Sequence, residues 1–151
     1  MGTGLHTKAF TAQDAFVAAL AARPELADWR VEYGLPKRRF EKHLWVDEQV
    51  NGWEQSPPTT GILTQEETFT LAVFIYRRRT GGTALDVRQE IEAAAGIVAE
   101  VLGAQPFLGG VLQFAAISGA EYDSAFADPK GVSREGVLQI KVACTSYLTS
   151  A

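Results

Sequence analysis

Between Glu66 and Leu102 the chain changes its hydrophobic period once. Phe69, Leu71, Val73 and Ile75 alternate with Thr68, Thr70, Ala72, Phe74 and Tyr76, which is the period of two of a strand with distinct faces. The alternation stops at Arg77-Arg78-Arg79, and Thr80-Gly81-Gly82 reads as a tight turn. From Thr83 onward Val87, Ile91, Ala94, Val98 and Val101 recur at helical spacing, so one stripe of that segment is apolar. Thr83 followed by Asp86 predicts a capping box at the helix start, with Asp in place of Glu.

The same reading extends to both sides. Thr11 with Asp14 predicts a capped start for a helix over 12–22, with Phe16, Val17 and Leu20 on its apolar side and Pro24 ending it. Residues 27–33 read as a strand, and 40–50, extending to Trp53, as a second, partly exposed one. Asn51-Gly52 predicts a kink or bulge there, and the breaker-rich run Ser56-Pro57-Pro58-Thr59-Thr60-Gly61 the sharp bend. Gly103, with Pro106 close behind, is the expected stop of the central helix. Strands follow over 110–117 and 136–148, the latter placing Leu138, Ile140, Val142, Cys144 and Leu148 on one face. A long loop is expected over 118–136, carrying Tyr122 and Phe126 among charged residues, and long loops in small domains are commonly functional. The expected fold is α+β: a mixed, mainly antiparallel sheet of about four to five strands with two helices on one face, in the order α-β-β-β-α-β-β. Residues 1–151 are read as a single domain whose first nine residues, lacking any periodic pattern, fray.

That order of elements resembles the tail terminator family of long-tailed bacteriophages. The resemblance rests on 67–76 leading into the Arg-Thr-Gly-Gly-Thr turn, the alanine-rich helix over 85–102, the closing strands over 110–117 and 136–148, and the helix over 11–22. It is one of pattern rather than of motif and covers most of the chain. Membership implies a homo-oligomeric ring, a hexamer, on the head-proximal end of the tail tube. Such a ring ends tube polymerisation, touches the major tail tube protein on one rim and offers a joining surface to the head-tail connector or stopper protein on the other. It lets DNA pass through its lumen without specific binding, and it implies assembly in the host cytoplasm and residence in the tail-neck region of the virion. A head-closure or other neck adaptor protein is the alternative within the same virion, and a small-molecule-binding α+β domain the alternative outside it.

Composition narrows the other classes. The 151 residues are 46% hydrophobic and 21% charged with a formal net charge of −4, ordinary for a globular protein and unlike a general nucleic-acid binder. A weakly acidic lumen suits DNA transit, since each captured phosphate adds drag. No run of about 18 apolar residues suggests a membrane span. The single cysteine, Cys144, has no internal partner and reads as a small core residue.

Catalytic and cofactor motifs are not found. Gly81-Gly82 and Gly109-Gly110 lack the spacing of a phosphate-binding loop, and Gly131-Val132-Ser133-Arg134-Glu135 has Glu where a nucleophile elbow needs glycine. His6 and His43 are far apart, without neighbouring ligands, and are expected at the surface. The adjacent carboxylates Glu66 and Glu67 point to opposite faces and read as solvated strand residues. No catalytic, cofactor-binding or metal site is therefore expected. Candidate interface residues remain: Trp45 and Trp53, the latter expected to be exposed; Arg77, Arg78 and Arg79, which suit bidentate pairing with a neighbouring subunit; and Tyr122, Phe126 and Arg134 in the expected loop. Lys37-Arg38-Arg39 forms a second basic cluster.

Overall fold

Two strands of equal length form the spine of the molecule. A computed structural model describes residues 7–56 and 64–149. In it β4, Thr64–Thr80, and β6, Ser133–Thr149, run antiparallel in unbroken register from Thr64 opposite Thr149 to Thr80 opposite Ser133. Around them the chain is α+β, ordered α1 (Ala9–Ala21), a 3-10 turn (Pro24–Leu26), β1 (Arg30–Tyr33), β2 (Lys42–Val46), β3 (Asn51–Gln55), β4, α2 (Ala84–Ala104), β5 (Phe114–Phe126) and β6. The six-stranded sheet has the order β1-β2-β4-β6-β5, and β3 lies beside β4 in line with β2. Only β1 and β2 pair parallel; every other pair is antiparallel.

The sheet has six strands where four to five are expected, because the second predicted segment breaks in two. β2 pairs with β4 from Lys42 to Val46, then the chain leaves the ladder and rejoins it at Asn51. Gly52 has φ +58 and the register slips between Asn51 and Glu54, so Asn51-Gly52 forms a bulge, as expected of it. The bend predicted for 56–61 falls largely outside the described residues.

The helices obey their periodicities but not all of their predicted ends. α2 begins as read, with Asp86 N–H donating to Thr83 Oγ1 at 3.1 Å and Thr83 N–H to Asp86 Oδ2 at 2.9 Å. It runs through Gly103 to Ala104, because a single glycine costs a helix only about 1 kcal/mol and packing of Val101 and Leu102 outweighs it. α1 starts at Ala9 rather than after Thr11 and lacks a side-chain cap on Lys8. Residues 1–6 lie outside the described residues, but Thr7 and Lys8, expected to fray with them, are placed; the Lys8 N–H donates to Glu67.

Both helices lie on one face. Phe16 and Leu20 of α1, and Val87, Ile91, Ala94, Val98 and Val101 of α2, bury against Leu44, Val46, Phe69, Leu71, Val73, Ile75, Ile140, Val142 and Cys144. Gly136 lets α2 come this close, since a Cβ there would lie 3.0 Å from both Ile91 and Val87. The expected loop over 118–136 is instead mostly ladder: β5 runs to Phe126 and β6 resumes at Ser133. Long-range pairing with β6 overrides the polar composition of 119–126, since the ladder satisfies every second backbone group whatever the side chain.

Candidate assembly surface

β5 is the last strand of the sheet, hydrogen-bonded to β6 on one side and, among the described residues, to no strand on the other. It is thirteen residues long. Natural edge strands are usually short, bulged or charged, because a free ladder edge templates further pairing. This one has a bulge between Ile117 and Gly119 and the charges of Glu121 and Asp123, yet it also exposes Phe114 (55%), Ile117 (44%), Tyr122 (38%) and Phe126 (57%). At its start, Phe114 and Ile117 join Leu102 and Pro106 around a shallow groove of about 390 Å³ beside the end of α2. Exposed rings on a free edge are the kind of surface on which one chain can meet another.

The hairpin that carries β5 is ordered at its tip. Asp128 Oδ1 accepts from the Val132 N–H at 2.8 Å, Gly131 turns with φ +70, and Gly81 N–H donates to the Val132 carbonyl. Arg134 lies 4.2 Å above the Phe126 ring, a cation–π contact across the pair. Tyr122, Phe126 and Arg134 therefore belong to one rigid ribbon and not to a loop.

The other sequence candidates do not join them. Trp45 is buried at 1% exposure, stacked on Phe74 at 5.2 Å with Arg39 5.7 Å from its ring; the eight residues after β1 fold back over it, closing the face that alternation left open. Trp53 is half-buried rather than exposed, its ring edge-on to Phe10 and its indole N–H donating to Glu67 at 2.8 Å. Arg77 is buried and pairs with Glu90 of α2 at 2.6 Å, and Arg79 reaches the same carboxylate at 3.5 Å. These two arginines fasten helix to sheet inside the subunit. Of the triplet, Arg78 is the one exposed to solvent.

Two residues read as surface side chains are buried. Glu67 is at 0% exposure and accepts from the Lys8 N–H (2.9 Å), Trp53 Nε1 (2.8 Å), Gln55 Nε2 (2.8 Å) and Ser146 Oγ (3.1 Å). Burial pushes its carboxyl up, but the hydrogen bonds from Thr7, Lys8, Gln55 and Trp53 outweigh that and hold it below the ordinary carboxylate value. It also sits at the N-terminus of α1, where a negative charge is favoured. The signal was available, since Glu67 has the parity of Phe69 and Leu71. His43 is at 0% exposure; its Nδ1 accepts the Phe40 N–H at 3.0 Å, so Nε2 carries the proton and donates to Glu32 at 2.7 Å. Nothing in its spacing announced that.

Two further titratable groups are shifted by burial. Burial raises the Cys144 thiol to about 12, which leaves it unreactive. The Tyr76 phenol is also raised to about 12, by burial and then by its 2.6 Å bond to Glu135. Among the described residues no group of His, Cys, Asp and Glu could hold a metal ion, and no helix is long and apolar enough to cross a membrane. The chain matches none of the known family profiles compared with it, and comparison with curated proteins gave no match either.

Proposed function

We propose that this protein is a virion assembly protein of the tail-terminator kind. It closes with copies of itself into a ring, a hexamer, that caps the head-proximal end of a phage tail tube and gives the head-tail connector its docking surface. The observation that carries this reading is the free edge of β5, with Phe114, Ile117, Tyr122 and Phe126 exposed along it. A sheet with two unlike edges, β1 and β5, suits head-to-tail association, and closure of such a chain into a ring leaves no edge for further growth in its plane. A ring seated on the last layer of the tube covers the surface on which another layer would stack. The mechanism is steric and needs no bond chemistry.

Deletion of the gene from the virus that carries it is expected to give tails of uncontrolled length in electron micrographs. Tails of normal length in that deletion overturn the proposal.

A further inference from the structure

The two edges of the sheet, β1 and β5, which pair with no further strand among the described residues, match each other in direction, in face and in charge. β1 runs parallel to β2, β2 antiparallel to β4, β4 to β6, and β6 to β5. β1 and β5 therefore run in opposite directions at opposite ends of one sheet. A second copy related by rotation about an axis along the strands brings its β1 antiparallel to β5 of the first, with the helix faces on the same side. Antiparallel addition is the more stable ladder.

The side chains agree with that addition on both faces. The register traces a row across the sheet from Arg30 through His43, Tyr76 and Val137 to Asp123, so Arg30 and Asp123 lie on the face away from the helices. Glu121 shares that face with Asp123, two residues away, and both are exposed. On the helix face the adjoining row runs from Val31 through Leu44, Ile75 and Leu138 to Tyr122, and exposed Tyr33 follows Val31 by two residues. With Arg30 opposite Glu121, cation faces anion on the outer side of the seam, while on the helix side Val31 meets Ala120 and Tyr33 meets Ser118. Glu32, the one acid on the outer face of β1, is held by buried His43 at 2.7 Å and by Arg30 itself at 3.3 Å, and Lys141 lies 3.9 Å from Glu121, so the seam exchanges exposed pairs within the subunit for pairs across it. The register that sets Arg30 opposite Glu121 sets Glu32 opposite Gly119, which has no side chain to repel it.

Self-pairing of β5 fares worse. Two antiparallel copies of β5 centred on Tyr122 set Glu121 of each against Asp123 of the other, and like charges across a ladder are destabilising.

We infer that β1 of one copy adds antiparallel to β5 of the next, with Arg30 facing Glu121 and Asp123, and that this seam is the repeating contact of the ring. The inference rests on the ring reading above and names the surfaces that make it. Because β1 offers only four residues, a single seam is weak and assembly rises steeply with concentration or on a tube end.

Sedimentation velocity of the full chain, alone over a concentration range and with isolated tail tubes, tests it. Wild type is expected to reach ring mass. Arg30→Glu, and separately Glu121→Lys with Asp123→Lys, are expected to raise the concentration for assembly at least tenfold at low salt, and the variant carrying all three changes to recover it. Unchanged melting temperatures show that the variants fold. As an independent reading, a mixture of Arg30→Cys and Glu121→Cys proteins is expected to form a disulfide-linked heterodimer that neither forms alone. Rings that tolerate each reversal, a triple variant that fails to recover, or linkage of Glu121→Cys to itself overturn the seam and leave the ring standing. Wild type that stays monomeric under every condition, tubes included, overturns both.

Discussion

The two faces of β4 and β6 are built from the same strands and follow opposite rules. On the helix face Leu71, Val73, Ile75, Val142 and Cys144 form an unbroken apolar surface under α1 and α2, interrupted near one end by Glu67 and near the other by Arg77. On the opposite face only the end near β2 is covered. There Trp45, His43, Phe74 and Tyr76 are packed beneath the chain that follows β1, with Arg39 5.2 Å from the Tyr76 ring. Beyond them the surface is of Thr68, Thr70, Gln139, Lys141 and Thr145, open enough to leave Ala143 and Tyr147 exposed. Stability is therefore concentrated on one face, and the other, with the β5 edge, is free to carry recognition.

The largest effect is expected from Leu71→Ala, which empties a fully buried site on the helix face and should cost about 2–5 kcal/mol. Thr70→Ala, one residue away on the opposite face, should stay within about 0.5 kcal/mol. Denaturant midpoints of the pair measure the asymmetry directly; equal losses would mean that the open face carries as much of the core as the covered one. Next comes Glu67→Gln, which keeps the shape but sets an amide among the donors that surround the carboxylate, at about 1–3 kcal/mol.

The same residue gives the comparison a pH dependence. Glu67 is held below its ordinary value in the folded chain, so its stabilisation is fully present above the unfolded carboxylate value and is lost as pH falls through the lower folded one. Melting temperature followed downward through the acid range should show a drop that Glu67→Gln lacks; parallel curves for the two proteins would remove Glu67 as the cause.

Gly136→Ala tests how closely α2 is seated. The added Cβ would lie 2.5 Å from Tyr122 Oη and 3.0 Å from Ile91 and Val87, so the helix or the ring must move, at about 1–3 kcal/mol. A neutral melt would show that the helix face has slack. The smallest change is expected on the opposite side, where Arg39→Ala removes the cation over Trp45 and Tyr76 at about 0.5–1 kcal/mol, while near-ultraviolet circular dichroism reports the loosened tryptophan.

Alternation and helical spacing were enough to place β4, β6 and α2 and to predict two helices on one face of a mixed sheet, because burying one side of each element imposes a period that survives in sequence. They also gave the capping box at Thr83 and the bulge at Gly52, both local events decided by one or two residues. The assembly candidates were less legible. Tyr122 and Phe126 stood out as rings among charges, but their placement on a free edge depends on β6, a strand further along the chain. Arg77 and Arg79 read as candidates for a contact between subunits until α2 brings Glu90 over the end of β4.

What the amino-acid order determined by itself is which face of each strand and helix is apolar, since that depends only on neighbours within a few residues. Which strands stand at the rim, which tryptophan is covered and where a carboxylate finds its donors were decided by segments tens of residues apart meeting in space. Glu67 joins the start of α1 to β3 and β6, from Lys8 to Ser146. No local pattern can announce such a meeting, because its free energy exists only once the sheet has assembled.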